Sequence, residues 1–428
     1  MMQEFSTEFT AKNLTGNAGL THFGRFTAKL GIRRLLDELI TIERGDTATY
    51  QVGDIIMMTM MGALAGAKHI SHMAFLRNDS VIRTLFNWTR FPDDTTFSRV
   101  FKLFDHLHCN ELSEVESQAR KRVWSKKWFG RVTLDMDSSV IGVTGDQEGA
   151  EVGYNPKKKG QPSYHPLFCF IDETRECFHN WFRCGSAYSA NGSVDFMKEC
   201  LARLPKRVWK IFVRADSAFF DGDLLDLLES VGAKYLIKVK MKDLEKKLSG
   251  KNWAKVKNQP GVEATEFMYQ CHGWKKARRF VAVRKLVSVE TEGLLIPKLT
   301  YDSFCYVVNE SDTPWEAHKK YAKRATSENW IEWCKNQLAA GTIRTDDFWA
   351  TSAIFQTCIM AYNLLCWMML LHQRKHLSEE PGTIRRWFIH TPAKLIHRAR
   401  RYILTLPINY VFKDRWGEIE NTLSALSF

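Results

Sequence analysis

The chain has 428 residues, 45% of them apolar, and carries 61 Lys and Arg against 48 Asp and Glu, a formal charge of +13. That content supports a substantial core spread over several domains, and the basic surplus favours a polyanionic partner, nucleic acid ahead of a membrane surface. Ten cysteines without a C-x-x-C pair read as reduced, buried thiols and exclude a disulfide framework.

Residues 1–125 form the first expected domain, mainly helical. The opening MMQEFSTEFTAKNL is polar and lacks the apolar stretch of a signal peptide. GRFTAKLGIRRLLDELI and VGDIIMMTMMGALAGA carry apolar residues at helical spacing. The second run is too short to span a bilayer and contains Asp54. PDDTTFSRVFKLFDHL has a Pro and an Asp/Thr cap before an amphipathic run. Its helix, bearing Arg99, fits a DNA-recognition helix and fits an ordinary bundle helix equally well. His106, His108 and Cys109 lie close together, as do His372 and His376, but neither group has a second half at zinc-site spacing.

From residue 126 to 240 the pattern changes to α/β, the first part of an expected catalytic core. RVTLDMDSSVIGV alternates, with Val132, Leu134 and Met136 on one face and Thr133, Asp135 and Asp137 on the other. HPLFCFID, CFHNWFRCG, WKIFVRAD and AKYLIKVK read as further strands, and NGSVDFMKECLARL and DGDLLDLLESVG as helices. This order predicts a mixed sheet flanked by helices. Residues 241–314 break the rhythm and read as a β-rich insertion with abundant Lys and Arg. Trp274 stands there among basic residues.

The core is expected to resume at 315–375. Within it, YAKRATSENWIEWCK sets Tyr321, Arg324, Glu328 and Lys335 at spacings of three, four and seven. On one continuous helix they span an arc of roughly 60°, a face suited to holding a phosphate beside a metal. The same spacing also makes a solvated face with an Arg324–Glu328 ion pair. Residues 350–372 have the length of a membrane span, but Gln356 and Asn363 share one face and no basic flank orients them, so a buried helix is expected. Residues 376–428 form a basic C-terminal region. From 373 to 404 there are eight Lys and Arg against two Glu, a surface for DNA backbone or another subunit.

Three carboxylates occupy places where chemistry is possible: Asp137 on the first strand, Asp216 at the end of IFVRAD, and Glu328 on the basic-flanked helix. Acids on strands are costly to bury unless paired or metal-bound. Two Asp and one Glu suit a pair of Mg²⁺ ions roughly 3.5–4 Å apart that activate a water or a 3′-hydroxyl at a phosphodiester. Geometry alone does not choose between Asp135 and Asp137, which share a face.

The spacing Tyr-x2-Arg-x3-Glu-x6-Lys, with LDMDSSV and VRADSAFF upstream, resembles DDE transposases of bacterial insertion sequences with an RNase H-like catalytic fold. The β-rich stretch before the glutamate is similar to that family's insertion, and GYNPKKKGQPSYHPL (153–167) resembles a segment that follows the first acid in one subgroup. The likeness covers about residues 85–405. It implies Asp137, Asp216 and Glu328 as metal ligands for Mg²⁺, with Mn²⁺ able to substitute. Asp137 is preferred to Asp135 because hydroxylated residues follow it.

It further implies Tyr321, Arg324 and Lys335 as phosphate contacts at the element's end, Lys157, Lys158 and Lys159 against DNA backbone, and Trp274 as a platform for a flipped base. The implied partners are double-stranded DNA, as terminal inverted repeats and target, and a second copy in the DNA complex, with no membrane. The implied location is cytoplasmic and nucleoid-associated. The rival expectations are a metal-dependent DNA nuclease without strand transfer and a non-catalytic DNA-binding repressor.

Overall fold

A computed structural model describes residues 2–45, 48–155, 158–188, 190–290 and 298–428. It divides into two compact units, one of residues 1–128, 146–148 and 332–428, the other of residues 129–145 and 149–331. The stretch 315–375, expected as one piece of core, is thus parted between Ile331 and Glu332.

The second unit is built on a nine-stranded sheet. Its strands are β1 (Arg131–Ser138), β2 (Leu167–Ile171), β3 (Cys177–Trp181), β4 (Lys210–Ala215), β5 (Lys234–Lys238), β6 (Ala254–Lys255), β7 (Val262–Tyr269), β8 (Arg278–Glu290) and β9 (Lys298–Val308). Their spatial order is β6-β7-β8-β9-β5-β4-β1-β2-β3. The first five therefore stand as 3-2-1-4-5. Strands β1, β4 and β5 run parallel, and β2 runs antiparallel to β1. The 241–314 insertion supplies β6–β9, which continue the same sheet, since β9 pairs antiparallel with β5.

Strand β1 is buried from Val132 through Asp137. The alternation expected a polar face, but both faces are covered, as parallel sheets require. The cost of burying Asp135 is met by register: Asp135 lies opposite Arg214 of the parallel β4. Arg214 Nε and Nη2 donate to Asp135 Oδ1 and Oδ2, each at 2.6 Å.

The first unit is mainly helical, and its centre is the helix Phe348–His372, buried at every residue from Ala350 to Leu370. It is long and apolar enough to cross a membrane by length and composition, but its apolar surface is packed inside the unit. It lies against the helices Val52–Ala65 and His106–Ser125. Its buried Asn363 Nδ2 donates to Glu116 Oε1, and Arg120 Nη2 donates to the same oxygen at 2.9 Å. Gly31 joins the helices Leu20–Leu30 and Ile32–Leu39 in a left-handed conformation, φ 62°, that disfavours a side chain. A hairpin of Ala393–Arg398 and Arg401–Thr405, which the sequence reading left unassigned, completes a small sheet with Leu14–Thr15.

Candidate active site

The site lies at the C-terminal ends of β1 and β4. Met136 pairs with Ala215 in the parallel register, so Asp137 and Asp216 occupy the next positions on neighbouring strands. Asp137 is buried and its Oδ1 accepts the backbone N–H of Ser138 at 2.9 Å. Asp216 is partly exposed and caps a short 3-10 turn, its Oδ1 accepting from Ala218 N at 2.9 Å.

The third acid comes from a helix that is not continuous. A helix at Pro314–Ala322 starts with the capping box Thr313–Glu316 and Pro314 in its first turn. It stops at Ala322, and a second helix runs from Ala325 to Glu332. The single face expected for 321–335 is therefore corrected: the chain turns at Lys323–Arg324, and Lys335 falls in a π-helical turn, Trp333–Gln337, of the other unit. No Gly or Pro marks the break. Hydroxyls make it: Thr326 Oγ1 donates to Lys323 O at 2.7 Å and Ser327 Oγ to Arg324 O at 2.8 Å.

The turn sends Arg324 inward. It is 5% exposed, and its Nη2 reaches Asp137 Oδ2 at 2.8 Å and Met136 O at 3.2 Å. Among the described residues no ion pair joins Arg324 to Glu328, so the i,i+4 bridge expected from spacing does not form. Arg324 Nε is buried with no acceptor. Glu328 is exposed.

Burial pushes the Asp137 carboxyl up to about 6; Arg324 opposes that shift, while Asp216 and Glu328 add to it. Burial works against charge on Arg324 as well, but Asp137, Tyr321 and Asp216 hold its proton on, and the net shift is upward. Tyr321 packs on Tyr306, ring centroids 4.7 Å apart, and burial raises its phenol to about 12. The fields of Asp216, Asp137 and Glu328 reach that phenol too. Five of the expected residues, Asp137, Asp216, Tyr321, Arg324 and Glu328, thus act on one another. Among the described residues no group of three or more His, Cys, Asp or Glu side chains is arranged to hold a metal ion. In this chain the cation at Asp137 is Arg324.

The other expected residues stand elsewhere. Arg99 is exposed on the helix Asp94–Phe101 of the first unit. Lys158 and Lys159 are exposed, and Lys157 lies outside the described residues. Gly153, at the start of that segment, leaves no room for a side chain, because a Cβ would come within 1.9 Å of Gly185 O. Trp274 lies in the loop between β7 and β8: Arg278 lies 4.7 Å over its ring, and Phe220 and Phe280 lie 5.1 and 6.1 Å away. Its indole also lies against Gly222, so it packs on the segment that follows Asp216.

Two participants were missed. Arg214 locks Asp135 and also donates through Nη1 to Lys320 O at 3.1 Å, tying β4 to the helix that carries Tyr321. His165 Nε2 lies 3.2 Å from Ser138 Oγ, beside Asp137. The only signal for His165 was its place in the 153–167 segment; for Arg214 it was the strand register, which a single chain does not display.

A family model for the transposase DDE domain, group 1, matches residues 2–428. No curated relative matches the chain. Among solved structures the chain is similar to a piggyBac transposase synaptic complex with hairpin DNA, at 14% identity over 86% of this chain and 78% of that one, TM-score 0.44. It is also similar to a pre-cleavage Mos1 transpososome, at 10% identity over 45% of this chain and 61% of that one, TM-score 0.17. On the family match, which spans the chain, this protein belongs to the transposase DDE domain group 1 family.

Proposed function

We propose that this chain is a transposase that cuts DNA at the terminal inverted repeats of a bacterial insertion element and joins the freed 3′ ends to target DNA. The observation that carries this reading is the placement of Asp137 and Asp216 side by side at the ends of parallel strands, with Arg324 paired to Asp137, in a chain of this family. The 3-2-1-4-5 strand order with a reversed second strand fits the RNase H-like fold that the sequence resemblance implies.

The donor set fits a hard divalent cation, since three carboxylates offer only oxygen ligands and burial leaves Asp137 costly to charge alone. Asp137, Asp216 and Glu328 would hold Mg²⁺ or Mn²⁺. The chemistry such an ion supplies when bound is polarisation of the phosphodiester and activation of a water or 3′-hydroxyl. Arg324 has a different task. Its Nε–H lacks an acceptor in the free chain, and a phosphate oxygen of the bound strand provides one as a charge-assisted hydrogen bond. Tyr321, whose phenol keeps its proton at neutral pH, donates beside it. Lys158, Lys159, Arg99 and Lys335 supply phosphate contacts that position the duplex without reading bases. The DNA-bound form is a homodimer bridging two ends, and the location is the cytoplasm, in association with the nucleoid.

The test is incubation of the chain with DNA carrying the element's repeats, with and without Mg²⁺, mapping every cut and every joined product. Cuts at the repeat ends followed by joining support the proposal. Cuts without joined products favour a nuclease, and repeat binding without cuts favours a repressor.

A further inference from the structure

The hairpin of Ala393–Arg398 and Arg401–Thr405 has a root and a projecting tip. At the root, Ala393 and Leu395 are buried, Leu14 and Thr15 pair with Lys394 and Ala393, and Leu395 N donates to Asn13 O at 2.9 Å. Beyond Leu395 the next eight residues, Ile396 through Ile403, are all exposed.

Two features of this tip lower its stability, while His397 and Tyr402 pair across the strands with ring centroids 4.8 Å apart. Arg398 and Arg401 stand directly opposite one another in the register, a like-charge cross-strand pair. The residues between them, Ala399 and Arg400, have φ of 49° and 61°, a left-handed pair that hairpins ordinarily give to Asn-Gly. Among the described residues none of Arg398, Arg400 and Arg401 has a carboxylate partner, and no Asp or Glu occurs between Glu380 and Asp414. Lys394, Ile396 and Arg398 lie on one face with Thr405, Ile403 and Arg401 opposite them. That face is a cationic ribbon with two exposed isoleucines at its middle.

We propose that this hairpin is a DNA-contacting ribbon that lies in a groove of duplex DNA. The inference rests on the transposase reading and adds to it a contact element outside the carboxylate site. A two-stranded ribbon is of the width that the major groove admits. There the three arginines meet phosphates on the groove walls, and Ile396 and Ile403 face thymine methyl groups. A second copy of the same face is disfavoured, because a two-fold contact would bring the arginines of one tip against those of the other.

The experiment is fluorescence-anisotropy titration of a labelled short duplex with the full chain over a range of salt concentrations. It compares wild type, the triple variant Arg398→Gln, Arg400→Gln, Arg401→Gln, and Ala399→Gly, which relaxes the turn and keeps every charge. Removing three phosphate contacts lowers the slope of log affinity against log salt by about 2.7, roughly 0.9 for each arginine. Ala399→Gly keeps the wild-type slope, and circular dichroism checks that both variants fold. A wild-type slope in a folded triple variant overturns the hairpin's role, as does preferential loss of binding to anionic phosphatidylserine vesicles or of self-association. Mg²⁺-dependent plasmid nicking, with Glu328→Gln as control, reports on the carboxylate site separately. Absence of duplex binding by the wild-type chain overturns the ribbon, whatever the nicking result.

Discussion

Arg324 Nη2 stands 2.8 Å from Asp137 Oδ2, across from its own helix, while Glu328, four residues along, is left exposed. The choice follows from magnitudes. An exposed i,i+4 pair is worth about 0.3–0.5 kcal/mol. A buried carboxylate without a partner costs several times more. The turn at Lys323–Arg324 delivers the cation to the place of greater need, and it leaves Glu328 free to face whatever binds.

Arg324→Gln therefore leaves Asp137 buried and unpaired. Without divalent cations the variant is expected to be destabilised by about 3 kcal/mol. Added Mg²⁺ then raises its melting temperature more than it raises that of wild type, because the ion no longer competes with a guanidinium. Thermal melts with EDTA and with Mg²⁺ measure both. Equal Mg²⁺ shifts in the two proteins would contradict the assignment of Asp137 as a cation site.

Asp135 and Arg214 form a buried ion pair. Arg214→Met is expected to cost about 3–5 kcal/mol by leaving Asp135 buried and unmatched, Asp135→Leu to cost less because Arg214 keeps Asp172 at 3.2 Å, and the double change Asp135→Leu with Arg214→Met to cost less than the sum of the two. Urea unfolding of the two single variants and the double variant checks this. Additive losses in the double variant would mean that the two residues do not act as a pair.

The first unit carries its own pH sensitivity. His22 is buried, and its ring centroid lies 4.2 Å from that of Trp416. Burial first, then Arg25 and His372, lowers its pKa to about 3. Glu420 lies 4.0 Å away. The unfolded chain binds this proton more readily, so the contribution of His22 is complete above its unfolded pKa of 6.5 and is lost as pH falls from there towards 3. Unfolding free energy should decline by about 1.4 kcal/mol per pH unit across that window from this residue alone. His22→Phe should flatten the decline. Parallel slopes in variant and wild type would place the acid sensitivity elsewhere.

Much of the site was legible along the chain. The alternation of RVTLDMDS marked β1 and its two acids, and the VRAD terminus marked the end of β4. Gln356 and Asn363 marked the apolar helix as buried. What stayed hidden depended on contacts between distant segments. The break at Lys323–Arg324 has no Gly or Pro signal, because it arises from two hydroxyls and a buried ion pair. The choice between Asp135 and Asp137 turns on Arg214, which reaches Asp135 through a strand register. Trp274 looked like a base platform for its basic neighbours, yet one of those neighbours, Arg278, covers its ring. The insertion read as separate because its strands run antiparallel, and only the β5–β9 pairing shows the sheet to be continuous.

In the proposed reaction Asp216 and Glu328 act on the DNA and are not part of the framework. Both are at least partly exposed, so Asp216→Asn and Glu328→Gln should leave folding intact. The direct measurement is single-turnover cleavage of repeat-bearing DNA with Mg²⁺, alongside DNA binding by the same preparations. Loss of cleavage by at least a thousandfold in each variant, with binding within a few-fold of wild type, is the predicted result. Full cleavage by either variant would contradict the account.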